Sequence, residues 1–271
     1  MANARSIAHG ERRASERDFA SGAATCSAAG FTLIELLIVI AVLLLLAALS
    51  AGLFPAALDA ARSAACKANL RALAAANIAY AADHNFYVAA ASDIDGPNTR
   101  RWHGTRTGSS FDAAQGPLTP YLGGTGTSRH IRRCPAFRPP PNGFEASCGG
   151  YGYNAHGVGS QLSLTNGAGH ALGMPPAALA RPAHTLMFAD TAYLQGSGAN
   201  ATLIEYSFAE PPAFAGGGSA WPTLHFRHRT KANIAWCDGR VTSEPLLHAP
   251  SRFAHHHLGW FTPDNAPFEG F

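Results

Sequence analysis

Glu35 is the single ionisable side chain in residues 31–54, FTLIELLIVIAVLLLLAALSAGLF. A carboxylate inside so apolar a run costs free energy and marks a functional position. Gly30 stands just before the run, and Phe31 opens it. A cut after Gly30 would give Phe31 a new positive α-amine, with Glu35 about one helical turn away on the same face. Glu35 can offset that amine, or the amine of a neighbouring subunit, and its charge suits the positive end of the helix dipole. The alternative is an ordinary secretory signal, for which Ala48-Leu49-Ser50 supplies a small-x-small cleavage site and a mature start near Ala51.

Three further groups have side chains suited to chemistry. His228 precedes Asp238-Gly239 by ten residues in HFRHRTKANIAWCDGRV. The two could form a metal or acid–base pair, but the more economical reading has His228 hydrogen-bonding a hairpin turn and locking its end. His255-His256-His257, with His225, His228 and His248 nearby in sequence, would suit zinc or copper. Adjacent histidines point in different directions, however, and need a loop to share one ion. Asp93-Ile94-Asp95-Gly96-Pro97-Asn98 hints at calcium, yet its glycine is fourth rather than sixth as in an EF-hand, and a polar turn explains it equally well. The expectation is therefore no cofactor, with calcium or zinc as alternatives. No phosphate loop or Ser-His-Asp arrangement argues for an enzyme.

The elements that carry these residues follow from the pattern. As an α-helix, residues 31–54 would run ~36 Å, enough for a ~30 Å hydrocarbon core. Pro55 should kink the helix rather than end it. Residues 56–83 are alanine-rich and free of Gly and Pro, with Leu58, Ala61, Ala65, Leu70, Leu73 and Tyr80 as a ragged helical stripe. Cys66 and Asn77 lie on that helix with no evident site role. Beyond Asp83 the apolar runs shorten, and strands are expected at 185–189, 202–208, 232–236 and 240–243. Asp238-Gly239 makes a tight hairpin of the last two. Residues 93–107, 139–147, 196–200 and 211–222 read as surface loops. Only 14% of residues are charged, against ~25% in an average soluble domain, so the chain belongs near lipid or within an assembly. A net charge of +3 supplies no basic field for nucleic acid.

Gly30-Phe31-Thr32-Leu33-Ile34-Glu35 and the aliphatic run after it resemble the leader junction of type IV prepilins and type II secretion pseudopilins. The resemblance implies cleavage after Gly30 by prepilin peptidase, N-methylation of Phe31, and assembly with other pilin or pseudopilin subunits guided by Glu35. It implies an α+β pilin-like fold, a long N-terminal helix packed on an antiparallel β-sheet head with long loops. The parts would be a leader at 1–30, a transmembrane and assembly helix at 31–54, an outer stalk at 55–83 and a head at 84–271. The precursor would sit in the inner membrane with its head in the periplasm.

His228, nine residues and then Asp238-Gly239 resembles the C-terminal signature of prepilin-like proteins abundant in planctomycete-type bacteria. Tyr80-Ala81-Ala82-Asp83, Pro120-Tyr121-Leu122, Cys134-Pro135, Tyr151-Gly152-Tyr153-Asn154 and residues 185–190 follow the same group in order. Cys237 replaces the small residue usual before Asp-Gly, and residues 244–271 look like an added tail. In an oxidising periplasm, Cys134 and Cys148 are the expected disulfide, with Cys134–Cys237 as the alternative. The competing reading of the whole chain is an exported binding or enzymatic domain on an ordinary signal peptide cleaved near Ser50.

Overall fold

The computed structural model describes residues 30–51, 54–108, 110–123, 131–141, 143–165, 169–214 and 221–270. Of the expected leader only Gly30 is among them. The chain divides into two compact units, residues 1–50 and 51–271.

In the first unit α1 (Leu33–Ala51) takes up the apolar run. Its aliphatic side chains are exposed along its length, from Leu33 to Leu49. A helix apolar on every side needs lipid or other helices around it. Among the described residues no single helix is long and apolar enough to cross a membrane; α1 and the next helix meet that requirement only together.

The second unit opens with α2 (Phe54–His84). Pro55 sits in its first turn, where a missing N–H costs nothing. The buried face of α2 is Cys66, Leu70, Leu73, Ala74, Ala76, Asn77 and Ala81. Leu70 and Leu73 were expected there, whereas Leu58, Ala61 and Ala65 are exposed. Alanine marks no face by itself, so the burial runs through the two residues left without a role, Cys66 and Asn77.

The head follows. Strands β1 (Arg100–Arg101), β2 (Gly104–Thr107) and β3 (Ser110–Asp112) form a small antiparallel sheet, its first two strands inside the stretch 93–107 expected to be surface loop. Trp102 and His103 are fully buried there. Buried Arg101 pairs at 3.0 Å with Glu145, which also accepts the Ser207 hydroxyl at 2.6 Å. The main sheet contains β4 (Tyr151–Tyr153), β5 (Leu186–Asp190), β9 (Lys231–Trp236) and β10 (Val241–Pro245), in the order β10-β9-β5-β4 and all antiparallel. Two-stranded pairs join β6 (Tyr193–Gln195) to β7 (Thr202–Ile204) and β8 (Leu224–His225) to β11 (Leu258–Gly259), after the short helix α3 (Ser251–Ala254). The expected strand at 202–208 stops at Ile204, and Phe208 makes only an isolated bridge to Tyr153.

The expected β9–β10 hairpin is present, with Val241 opposite Ala235. Its turn is Cys237-Asp238-Gly239, closed by the Trp236 N–H to the Arg240 carbonyl at 2.9 Å. Gly239 has φ +85°, a conformation glycine takes without a Cβ clash.

Alternation along β9 explains the layering. Asn233, Ala235 and then Cys237 face α2, while Ala232, Ile234 and Trp236 face the opposite way, into a cluster with Leu186, Phe226, Trp260 and Phe268. The C-terminal tail is therefore the third layer of the head rather than an appendage. Its backbone is built in, for the Leu186 N–H donates to the Pro267 carbonyl at 2.7 Å. The arrangement is α+β and pilin-like, a long helix packed on antiparallel sheet.

Leu70→Ala should lower stability by about 2–5 kcal/mol, as for a core leucine. Leu58→Ala, on the exposed part of α2, should stay within about 0.5 kcal/mol. Chemical denaturation of the full chain in detergent measures both.

Candidate functional site

The first candidate site is the start of α1. The Thr32 N–H and hydroxyl each donate to Glu35 Oε2 at 2.8 Å, and the Glu35 N–H reaches back to Thr32 Oγ1 at 3.3 Å. This reciprocal arrangement is a capping box, which satisfies N–H groups that the first turn of a helix leaves unpaired. Glu35 is thus held at the helix start by its own chain. The signal was legible as Thr-x-x-Glu before an apolar run, but the charge of Glu35 drew attention before its hydrogen bonding did. Among the described residues, a Cβ placed on Gly30 would meet nothing within 4 Å, so none of them demands a glycine there.

The second candidate site lies in the head, where four elements meet. Cys66 comes from α2, Cys134 from the loop after residue 131, Asp190 from the end of β5, and His228 from the turn before β9. All four are buried, and one donor atom from each lies within 4.8 Å of the others. The Cys66 thiol donates to Asp190 Oδ1 at 2.9 Å. His228 Nε2 is 3.3 Å from Asp190 Oδ2 and 3.5 Å from Cys134 Sγ. The Asn233 N–H donates to Asp190 Oδ2 at 2.8 Å and holds the carboxylate in place.

Arg227 completes the surroundings. Its Nη2 donates to the Gly150 and Thr191 carbonyls at 2.8 and 2.7 Å, and its guanidinium lies 4.3 Å from the Phe137 ring centroid. Its Nε approaches Asp190 Oδ1 at 3.9 Å. Gly150 makes room for this, since a Cβ there would lie 2.5 Å from Phe137 and 2.8 Å from Arg227. The turn carrying His228 is tight. His228 and Lys231 exchange backbone hydrogen bonds across Arg229 and Thr230, at φ +54° and +60°. Positive φ at a β-branched threonine is strained, and such strain collects at functional sites.

The electrostatics separate the two thiols. The neighbouring Cys66 thiol, joined by a hydrogen bond from His228, draws the Cys134 thiol down to about 5 against the effect of burial. Burial pushes the Cys66 thiol well above the ordinary range, leaving it the proton-bearing member. Burial disfavours charged His228, yet its hydrogen bonds to Asp190 and Cys134 hold it up at about 9. Burial would also raise Asp190, but Arg227 and His228 keep its carboxyl below the ordinary value.

Several expected placements change. His228 does not reach the hairpin turn, because it precedes β9 and Asp238 follows that strand. Asp238 instead accepts the Arg240 N–H at 2.9 Å. Cys134 and Cys148 are both free and buried, and so is Cys237, so neither expected disulfide is formed. Cys134 turns to His228, while Cys148 turns to Glu205 at 3.8 Å. The tail histidines gather no cluster among the described residues; His248 stacks on Trp260, and His255 is exposed. Asp93 spends its carboxylate on Thr99 and on the Arg100 N–H, the pattern of a polar turn. Sequence reasoning missed Cys66 and gave Asp190 no role. The available signal was a lone cysteine four residues before Leu70 on an alanine-rich face.

Alkylation of the denatured chain without reductant should modify Cys66, Cys134, Cys148 and Cys237. A linked Cys134–Cys148 peptide in the tryptic mass map would contradict the arrangement described.

Comparison with known proteins adds one match. Residues 26–51 match the family described as the prokaryotic N-terminal methylation motif. No curated protein and no solved structure matches the chain. The match covers the junction and α1 and supports a prepilin-like protein with an N-terminal methylation motif.

Proposed function

We propose that this chain is a structural pilin- or pseudopilin-like subunit. Prepilin peptidase cuts after Gly30 and methylates Phe31, and the mature chain joins a type II secretion or type IV pilus-like filament through α1. The precursor is held in the inner membrane with its head in the periplasm. The head works by contact rather than by catalysis.

The observation that carries this reading is the junction itself. The methylation motif falls on residues 26–51, where a glycine that no other described residue demands is followed by a helix carrying one acid near its start. A glycine without a packing reason among the described residues fits a residue read by a peptidase. The capping box fits as well, because it fixes a carboxylate beside the position that becomes the α-amine. Glu35 Oε2 is engaged by Thr32, and the second carboxylate oxygen is the one that would meet the amine of an adjacent subunit.

Membership of the planctomycete-type group draws its support from where the pieces upstream of the C-terminal signature lie. Tyr121 donates to Asp83 at 2.9 Å, Tyr151 and Tyr153 accept from Asn69 and Asn77 of α2 at 3.0 Å, and Asn154 donates to the Leu186 carbonyl at 2.9 Å. The pieces thus meet around α2 and β5, as parts of one head design would.

Intact mass and N-terminal sequencing of the mature protein should give N-methyl-phenylalanine at Phe31. A start at Ala51 would instead establish an exported domain on an ordinary signal. Glu35→Ala should leave cleavage intact and remove most incorporation into filaments, scored by co-purification with sheared filaments. Thr32→Ala, which removes only the cap at about 1 kcal/mol, should incorporate nearly normally. Equal loss in both variants would assign Glu35 to capping alone.

A further inference from the structure

We propose that Cys66, Cys134, Asp190 and His228 bind one Zn²⁺ in a closed structural site that ties α2 to the head. The inference is independent of how the N-terminus is processed.

Geometry comes first. With Zn–S bonds of ~2.3 Å and Zn–N or Zn–O bonds of ~2.0–2.1 Å, the donors of a tetrahedral site stand ~3.3–3.8 Å apart. The edges from His228 Nε2, 3.5 Å to Cys134 Sγ and 3.3 Å to Asp190 Oδ2, fall in that range. Cys66 Sγ closes the group from α2, 2.9 Å from the other oxygen of the same carboxylate, a hydrogen-bonded edge that must lengthen once the thiol proton leaves. Four donors from four separate segments, spread from residue 66 to residue 228, lie within 4.8 Å of one another. A hydrogen-bonded pair would need only two of them.

The donor set selects the metal. Two thiolates, an imidazole and a carboxylate suit zinc, whereas calcium and magnesium require oxygen donors throughout. All four positions are filled by protein and buried, so no site remains open for substrate, which is the mark of a structural rather than a catalytic zinc.

Charge balance agrees. Two thiolates and a carboxylate against Zn²⁺ leave one negative charge, and buried Arg227 stands beside Asp190 to match it. Arg227 Nε and Nη1 have no hydrogen-bond partner among the described residues, as expected of a cation held for its field as well as its hydrogen bonds. The Asn233 N–H steadies the ligating carboxylate, the kind of support that metal ligands commonly receive. Binding leaves both cysteines as thiolates and His228 neutral, with the displaced protons passing to solvent. The zinc alternative drawn from the histidine-rich tail thus moves elsewhere, keeping only His228 of that set.

The test uses the full chain purified in detergent without a histidine tag, with metal content read by inductively coupled plasma mass spectrometry. One zinc per chain is expected. Chelation should lower the thermal midpoint by on the order of 10 °C, and added Zn²⁺ should restore it. Cys66→Ser and Cys134→Ser should each reduce bound zinc about tenfold or more. Cys148→Ser and the combined His255→Ala, His256→Ala and His257→Ala variant should retain it.

Because ligand variants can fail to fold, X-ray absorption of the zinc-loaded wild type gives a second readout. A first shell of two sulfurs and two lighter atoms is expected. Three outcomes overturn the proposal: wild-type chain that takes up no zinc when Zn²⁺ is supplied, a zinc shell without sulfur, or a Cys66–Cys134 disulfide as the form present in cells.

Discussion

Asn77 lies fully buried on α2, and both ends of its amide are engaged. Its Nδ2 donates to the Tyr153 hydroxyl at 3.0 Å, and its Oδ1 accepts the Val88 N–H at 2.9 Å. An unpaired amide at such depth would cost several kcal/mol, so this position of α2 tolerates only one docking on the sheet. Tyr153 is fixed in turn by stacking on Phe188, with ring centroids 4.6 Å apart, and Trp102 packs on Phe188 at 5.0 Å. One buried amide therefore sets the register of helix, sheet and the segment that leads into β1. Three turns earlier on the same face, Cys66 meets Asp190 under the same constraint.

The two candidate sites solve different problems with similar means. At the start of α1, a threonine and a glutamate satisfy backbone groups in an exposed place, and the arrangement costs little. In the head, ionisable groups stand where charge is expensive, and each is held by another: Asp190 by Arg227 and Asn233, Cys134 by His228. The Arg101–Glu145 pair under β1 follows the same rule, with Ser207 and His103 around the carboxylate. This head carries more buried polar contacts than its apolar composition suggests, and these contacts choose among alternative packings that apolar side chains alone would permit.

What the sequence disclosed depended on whether the signal was local. The α1 run and the Asp238-Gly239 hairpin are written in neighbouring residues and appear where the pattern puts them, and the methylation motif matches across Gly30-Phe31. The face of α2 was half legible, because Leu70 and Leu73 mark it while alanines fit either side. Strands β1 to β3 were hidden, since Arg101, His103 and Gly104 break the apolar alternation that signals a strand, and their burial depends on partners such as Glu145, far along the chain. The four-residue cluster was hidden for the same reason. Asp190 ends an apolar strand, Cys66 sits among alanines, and no spacing rule links either to His228. The tail was misjudged because its aromatic residues are scattered, and only the folded sheet shows the face that Trp260 and Phe268 cover.

That third layer bears on how the head comes to be folded. The Phe268 and Leu186 carbonyls both accept the Asn154 amide, each at 2.9 Å, and Pro267 caps the start of β5. Phe268 and Pro267 thus close contacts with Asn154 and Leu186, long-range pairings of the kind that slow folding. Without Trp260 and Phe268, one face of β5 and β9 would be apolar and uncovered, the condition in which partly folded chains associate wrongly. The third layer thus guards the sheet against association through its own apolar face.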